Sequence, residues 1–317
     1  MTTSGSYTLT ANRNSIINGA YRLLGFNEKH GIMPADKIID ASETLNMMGK
    51  AWQAEGIGMW LNKDATLFLQ TDTESFTIGP TGSHATLTPY STEIAADADS
   101  GASTITVDSD DDITNGDYIG IELDDNSFQW TTVNGTPSSD VVTLTDVLTG
   151  DTSENNYVVN YTTKMQRPLE IIEARIRNSS DEDVVLEIVS RTEYMMLTDK
   201  DSAGIPNTIY YDPQLTNGVM YVWQVTNDVN NRIVFTAKYP IEIYDAFDDS
   251  TPFPDEWFLT LKYNLAVLMM PEYITSQNLS IAHINTLTNR AEELKQTVQS
   301  FDASYTSAQF VPNIRGF

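Results

Sequence analysis

Apolar positions near the start of the chain recur at three- and four-residue spacing. Ile16, Ile17, Ala20, Leu23 and Leu24 share one stripe between Ala11 and Gly25, which predicts an amphipathic helix that stops near the glycine. Gly19 within it costs about 1 kcal/mol relative to Ala and is read as room for a close helix contact. Pro34 suits the first turn of a second helix. Along it Ile38, Ala41, Leu45, Met48 and Trp52 repeat, with Gly56 as the stop. From Asp64 the period changes. Thr66-Leu67-Phe68-Leu69 and Ser75-Phe76-Thr77-Ile78 predict two strands around the polar turn Thr71-Asp72-Thr73-Glu74, and Gly79-Pro80-Thr81-Gly82 breaks the chain.

A stretch dense in Thr, Ser, Asp and Gly follows. Its β signals are Ser103–Val107, Tyr118–Leu123, Phe128–Val133, Val141–Leu144 and Tyr157–Tyr161, separated by turn residues at fairly regular spacing. That pattern predicts an inserted small barrel or sandwich over residues 83–163. Beyond it, Ile172, Ala174 and Ile176 alternate with Glu173, Arg175 and Arg177, a strand buried on one face. Val184–Val189 is a second apolar run, and Arg191–Leu197 reads as a short helix. Thr208–Tyr211 and Val219–Trp223 across Asn217-Gly218 read as a hairpin, and Ile233–Tyr239 as a further strand. Pro254-Asp255-Glu256 opens a helix with acids in its first turn. Its stripe is Trp257, Leu261, Leu265 and Leu268, and Pro271 is its expected end. The last predicted helix, Ser276–Ser300, carries Ile284, Leu287, Ala291, Leu294 and Val298. The expected class is α+β: a helical core from both chain ends, a β region, and the inserted β module.

Charge sharpens this division. The chain has 317 residues with 18 bases and 44 acids, a net charge of −26. From residue 64 to 163 there is no Lys or Arg in 100 residues, against 18 acids. Tight binding to a phosphate backbone needs basic side chains that displace counterions, so this segment excludes it. A solvated surface explains the acidity; a wall that DNA passes without sticking is the sharper reading.

Candidate chemistry is thin. Cysteine is absent, which removes disulfides, zinc ribbons and thiol nucleophiles and suits a reducing compartment. His30, His84 and His283 lie far apart, so a His metal site or a Ser-His-Asp triad requires long-range assembly. Asp108, Asp110 and Asp112 begin like a calcium loop, but Ile113 and Ile119 stand where that loop needs Gly and Glu. A solvated acidic loop is favoured over a loose cation site. No Walker loop, dinucleotide fingerprint or Gly-x-Ser-x-Gly turn occurs, and 44 acids make any carboxylate pair uninformative. No catalytic residue, cofactor or metal is assigned. Tyr210, Tyr211, Tyr221 and Trp223 are read as cross-strand packing ahead of a ligand platform. Met1-Thr2-Thr3-Ser4-Gly5-Ser6 has neither a basic region nor an apolar run, so export by the general route is not expected, nor is a membrane span. The closing segment, with Tyr305, Phe310, Val311, Ile314 and Phe317 and no period, is read as an extended tail (301–317) that docks on a partner.

In order along the chain stand Leu45-Asn46-Met47-Met48-Gly49-Lys50-Ala51-Trp52-Gln53-Ala54-Glu55-Gly56, Trp60, Leu67-Phe68-Leu69, Arg191-Thr192-Glu193-Tyr194 and Gly204-Ile205-Pro206. Then come Tyr210-Tyr211-Asp212-Pro213-Gln214-Leu215, Phe253-Pro254-Asp255-Glu256-Trp257, Asn264-Leu265-Ala266 and Pro271-Glu272-Tyr273. This order resembles the head-to-tail adaptor proteins of short-tailed double-stranded-DNA bacteriophages, also called tail accessory or head-completion proteins. The likeness covers most of residues 11–300 outside the acidic insert, which itself resembles small β modules of phage virion proteins. The resemblance implies a non-enzymatic virion protein, made in the host cytoplasm and placed at the head–tail neck. It implies a homo-oligomeric ring, commonly twelvefold, beneath the portal protein, with C-terminal extensions reaching the portal. Tail nozzle or tail-fibre proteins would be further partners, and DNA would pass without tight binding. On this reading residues 1–82 and 164–300 form the adaptor core; the insert lines the bore or decorates the outside, the latter favoured because a module of that size would crowd a narrow channel. The alternatives are a tail-fibre anchoring or capsid-decorating protein, then a carbohydrate-active or cell-wall-degrading enzyme.

Overall fold

The computed structural model describes residue 9, residues 11–26 and residues 34–301, without the side chains of residues 59 and 301. In chain order come helices α1 (Arg13–Leu23) and α2 (Ala35–Ala54), then strands β1 (Asn62–Phe68), β2 (Ser75–Ile78) and β3 (Ala85–Thr86). Six further strands follow: β4 (Tyr90–Ala96), β5 (Thr104–Val107), β6 (Tyr118–Glu122), β7 (Phe128–Thr132), β8 (Val141–Thr143) and β9 (Tyr157–Tyr161). After them lie β10 (Glu170–Arg177), β11 (Asp183–Val185), β12 (Glu187–Ile188), helix α3 (Arg191–Met195), β13 (Thr208–Asp212), β14 (Gly218–Trp223) and β15 (Arg232–Lys238). Helices α4 (Phe258–Tyr273) and α5 (Ile281–Phe301) complete the described elements. The class is α+β. No helix among the described residues is long and apolar enough to cross a membrane.

The chain divides into two compact units, residues 1–60 with 241–317, and residues 61–240. The first unit holds α1, α2, α4 and α5; the second holds the strands and α3. In the helical unit α4 packs against α1, α2 and α5. A helix covered on several sides is apolar nearly all round, and α4 buries Leu261, Leu265, Ala266, Met269 and Met270 together. The expected stripe was too narrow, and Leu268, assigned to it, lies half exposed. Gly19 sets α1 close to α4: a Cβ there would sit 2.8 Å from Cδ of Lys262. Trp52, Trp60, Phe253 and Trp257 form one aromatic cluster, with ring centroids 5.4–6.1 Å apart.

Two helix ends differ from expectation. Pro271 lies inside α4, because so near the end it removes one hydrogen bond while Ile274 N still donates to Met270 O. α5 begins at Ile281, where Ser280 Oγ accepts from His283 N; Asn278 before it adopts a left-handed φ of 49° and closes the preceding turn.

In the β unit, one antiparallel sheet has the order β11-β10-β15-β1-β3 and a second the order β12-β13-β14-β2, with only β12 and β13 parallel. Residues from both sheets, among them Leu67, Ile176 and Phe235 with Phe76, Ile209 and Met220, share a buried core. The Val184–Val189 apolar run splits at buried Leu186. Its N–H donates to Ala174 O, and the chain passes from β11 in one sheet to β12 in the other.

The insert is a six-stranded sheet of order β7-β6-β9-β4-β5-β8. Its ends meet: Asn134 N donates to Thr143 O and Thr145 N to Thr132 O, both at 2.9 Å, around the Val133–Leu144 bridge. This short ladder joins the outermost strands at one end and curls the sheet toward a small barrel. Ile94, Ile105, Ile119, Ile121, Val142 and Val158 fill the interior. Alternation explains the filling, since successive side chains point to opposite faces.

Candidate assembly surfaces

The barrel meets the rest of its unit through Phe68, Phe128, Val159, Tyr161 and Val229. Beside them His84 stacks flat on Trp130, 3.6 Å between centroids and 7° between planes. Trp130 in turn lies over Gly120, where a Cβ would come within 2.9 Å of the ring. His84 Nδ1 is 2.7 Å from the Tyr161 hydroxyl, Lys164 Nζ donates to Gly82 O, and the same ammonium lies 5.2 Å from the Tyr118 ring centre. Burial first, and the Lys164 charge second, press the His84 imidazole down to about 3, so it is neutral at ordinary pH. This box has the form of a structural clasp.

Many of the barrel's acids tie turns. Asp124 accepts from Ser153 Oγ and Asn156 Nδ2, Asp151 from Ser100 N, Asp97 from Glu154 N, and Asp146 from Thr131 Oγ1. Carboxylates that accept local N–H and O–H groups stabilise turns without any base. Asp108, Asp110 and Asp112 do not form a calcium loop: Asp110 Oδ2 accepts from Asp140 N, and Ile113 faces the barrel core. Among the described residues no three of His, Cys, Asp or Glu converge as metal ligands would. His84 and His283 are separate: His283 Nε2 is 2.9 Å from Leu23 O, in the helical unit. His30 lies outside the described residues.

The tyrosine cluster is cross-strand packing. Tyr210 and Tyr221 are register partners stacked at 5.7 Å and 13°, and Tyr194 of α3 packs against both. Tyr211 donates to Pro168 O and Trp223 Nε1 to Asp199 O. The five tail residues Tyr305, Phe310, Val311, Ile314 and Phe317 lie outside the described residues.

The sequence reading missed a surface. At the outer edge of its sheet β11 exposes all three residues, with Val185 82% and Val184 59% exposed. In the neighbouring elements Ile188, Met195, Met196 and Ile205 are also exposed. Asp183 holds this edge down, accepting a forked pair from Arg177 at 2.7 and 2.8 Å and lying 3.0 Å from Arg175. That pairing keeps its carboxyl below the usual range. The helical unit exposes Ile39 and Met47 of α2, with Ile243 and Phe247. Sheet edges are usually blunted by charge, so an edge strand with bare valines is unusual for a free surface. The signal was in the sequence, as the adjacent Val184 and Val185, which on one strand must point to opposite faces.

No family model matches the chain, and no curated protein matches it. Among solved structures it is similar to the Gp54 tailspike of Acinetobacter baumannii bacteriophage AP22, solved in complex with A. baumannii capsular saccharide. The identity is 17% and the TM-score 0.21 over 23% of this chain, which spans 14% of that tailspike. A likeness of that size carries no argument.

Proposed function

We propose that the chain is a non-enzymatic structural subunit of a phage particle, a ring-forming adaptor beneath the portal that lets DNA pass and carries tail components. The observation that carries this reading is the exposed apolar edge of β11 with Ile188, Met195 and Met196, a surface suited to burial against another subunit. The order of landmarks from Leu45 to Tyr273 supports the family, and the base-free barrel supports indifference to DNA. The tail from residue 302 onward is proposed to dock on the portal.

Electron microscopy of the purified chain, alone and with portal, tests the assembly. Many copies around one axis are expected, and Val185→Lys with Met196→Lys, both at exposed sites, should shift the population to monomers. Trimers, or binding to capsid faces, would favour the fibre-anchoring or decorating alternative. Deleting residues 302–317 should weaken portal association; an unchanged association removes the docking role of the tail.

A further inference from the structure

The β11 edge is one apolar surface, and the helical unit carries another. Ile39 and Met47 of α2 are exposed, and residues 241–249 are fastened to that helix. Asn46 Oδ1 accepts from Tyr244 N at 2.8 Å, and Asn46 Nδ2 donates to Tyr244 O at 3.0 Å. One turn on, Lys50 Nζ donates to Ile241 O. Asp249 Oδ2 then accepts from Asp245 N at 2.8 Å and Ala246 N at 2.7 Å, closing a turn that carries Phe247, 62% exposed. Ile243, next to the clamped Tyr244, is also exposed. Polar groups hold this backbone while its apolar side chains face water, so little is left to order on binding. Around them Glu43, Glu242, Asp245 and Asp248 are exposed and make no ion pair among the described residues. In the β unit the pattern is inverted. Arg191, three residues past exposed Ile188, is exposed and likewise without an ion pair among the described residues. Asp181, Asp183 and Glu193 near it are engaged by Arg232, by Arg175 with Arg177, and by Ser190 N.

We infer that these two surfaces are each other's partners in successive copies of the chain. The face of α2 with Ile243 and Phe247 of one copy covers the β11 edge, Ile188, Met195 and Met196 of the next. This pairing rests on the ring reading, because a ring around one axis is heterologous: each copy meets its two neighbours through two different surfaces. The β11 edge supplies one of them. Apolar burial holds the contact, and the acidic rim meeting Arg191 decides which surface meets which. Two β11 edges brought together would oppose Arg191 to Arg191, and two α2 faces would oppose acid to acid.

Two surface variants of the full chain test the pairing. Val185→Lys with Met196→Lys spoils the β edge, and Met47→Glu with Phe247→Glu spoils the helical face. All four sites are exposed, so thermal unfolding should be unchanged. Each variant alone should sediment as a monomer. Mixed in equal amounts they should form dimers holding one copy of each, because one intact edge still meets one intact face and growth stops there. A mixture that stays monomeric, or a variant that dimerises alone, overturns the pairing. A second readout needs no tight association. The chain has no cysteine, so Val185→Cys copies and Met47→Cys copies, one lengthened by a tag, are joined only at those sites by a short bis-maleimide. Crosslinks between unlike copies should exceed those between like copies several-fold; equal or inverted yields overturn the pairing. The ring itself is judged by electron microscopy of the unmodified chain. Unlike pairs without a ring would remove the ring and leave the pairing, and a ring whose variants do not pair on mixing would do the reverse.

Discussion

His84 shows how one side chain records its surroundings. Stacked on Trp130 and bonded to Tyr161, it is held neutral down to about pH 3, whereas a free imidazole protonates near 6.5. Below 6.5 the unfolded chain binds a proton that the folded chain refuses. The stability that His84 contributes is therefore complete above about 6.5 and declines as pH falls toward 3, by at most about 1.4 kcal/mol per pH unit. Replacing it as His84→Phe keeps a stacking ring and removes the titration. Urea denaturation at pH 7, 6, 5 and 4 should show a flatter decline for the variant than for the unmodified protein. Parallel curves would mean that His84 does not set the acid limb. Trp130 fluorescence is a natural probe, because the indole sits in the same stack.

Capping decides element ends in the same local way. Asn12 Oδ1 accepts from Ser15 N at 2.9 Å and Ser15 Oγ accepts from Asn12 N at 3.1 Å, a reciprocal box at the start of α1. Asn12→Ala should destabilise the protein by about 1 kcal/mol, read as a lower denaturation midpoint with unchanged slope. A change below a few tenths would show that α1 is held by packing against α4 alone. Helices α1 and α2 were legible because Ile16, Ala20 and Leu45, Met48, Trp52 repeat at helical spacing between clear stops. Five of the six barrel strands were legible because short alternating runs stand between Asp, Asn and Gly turns, whereas β4 (Tyr90–Ala96) went unread. Other features were not. Pro271 reads as a stop, yet the helix runs two residues further, to Tyr273. The division of Val184–Val189 depends on Leu186 turning inward between two sheets, a tertiary fact. His84, Tyr118, Trp130 and Tyr161 are too dispersed in sequence to suggest one box. Asp117 looks like its 17 acidic companions in residues 64–163 until the turn at Thr114 buries it.

Charge acts over the whole molecule. Each chain carries a net −26, most of it from the base-free stretch, so copies gathered in the proposed ring would repel one another. The exposed apolar edge supplies attraction that salt does not screen, whereas the repulsion is screened over about 10 Å at 0.1 M salt. Assembly held by apolar contact against like charge should therefore strengthen as ionic strength rises. Sedimentation of the unmodified protein in 20, 150 and 500 mM choline chloride should show the oligomer fraction increasing. The opposite trend would mean that ion pairs hold the subunits. The relevant contacts would then be sought among groups such as exposed Asp99 and Glu154 rather than at Val185 and Met196. The sign of the salt dependence thus separates the two kinds of interface without requiring a structure of the assembly.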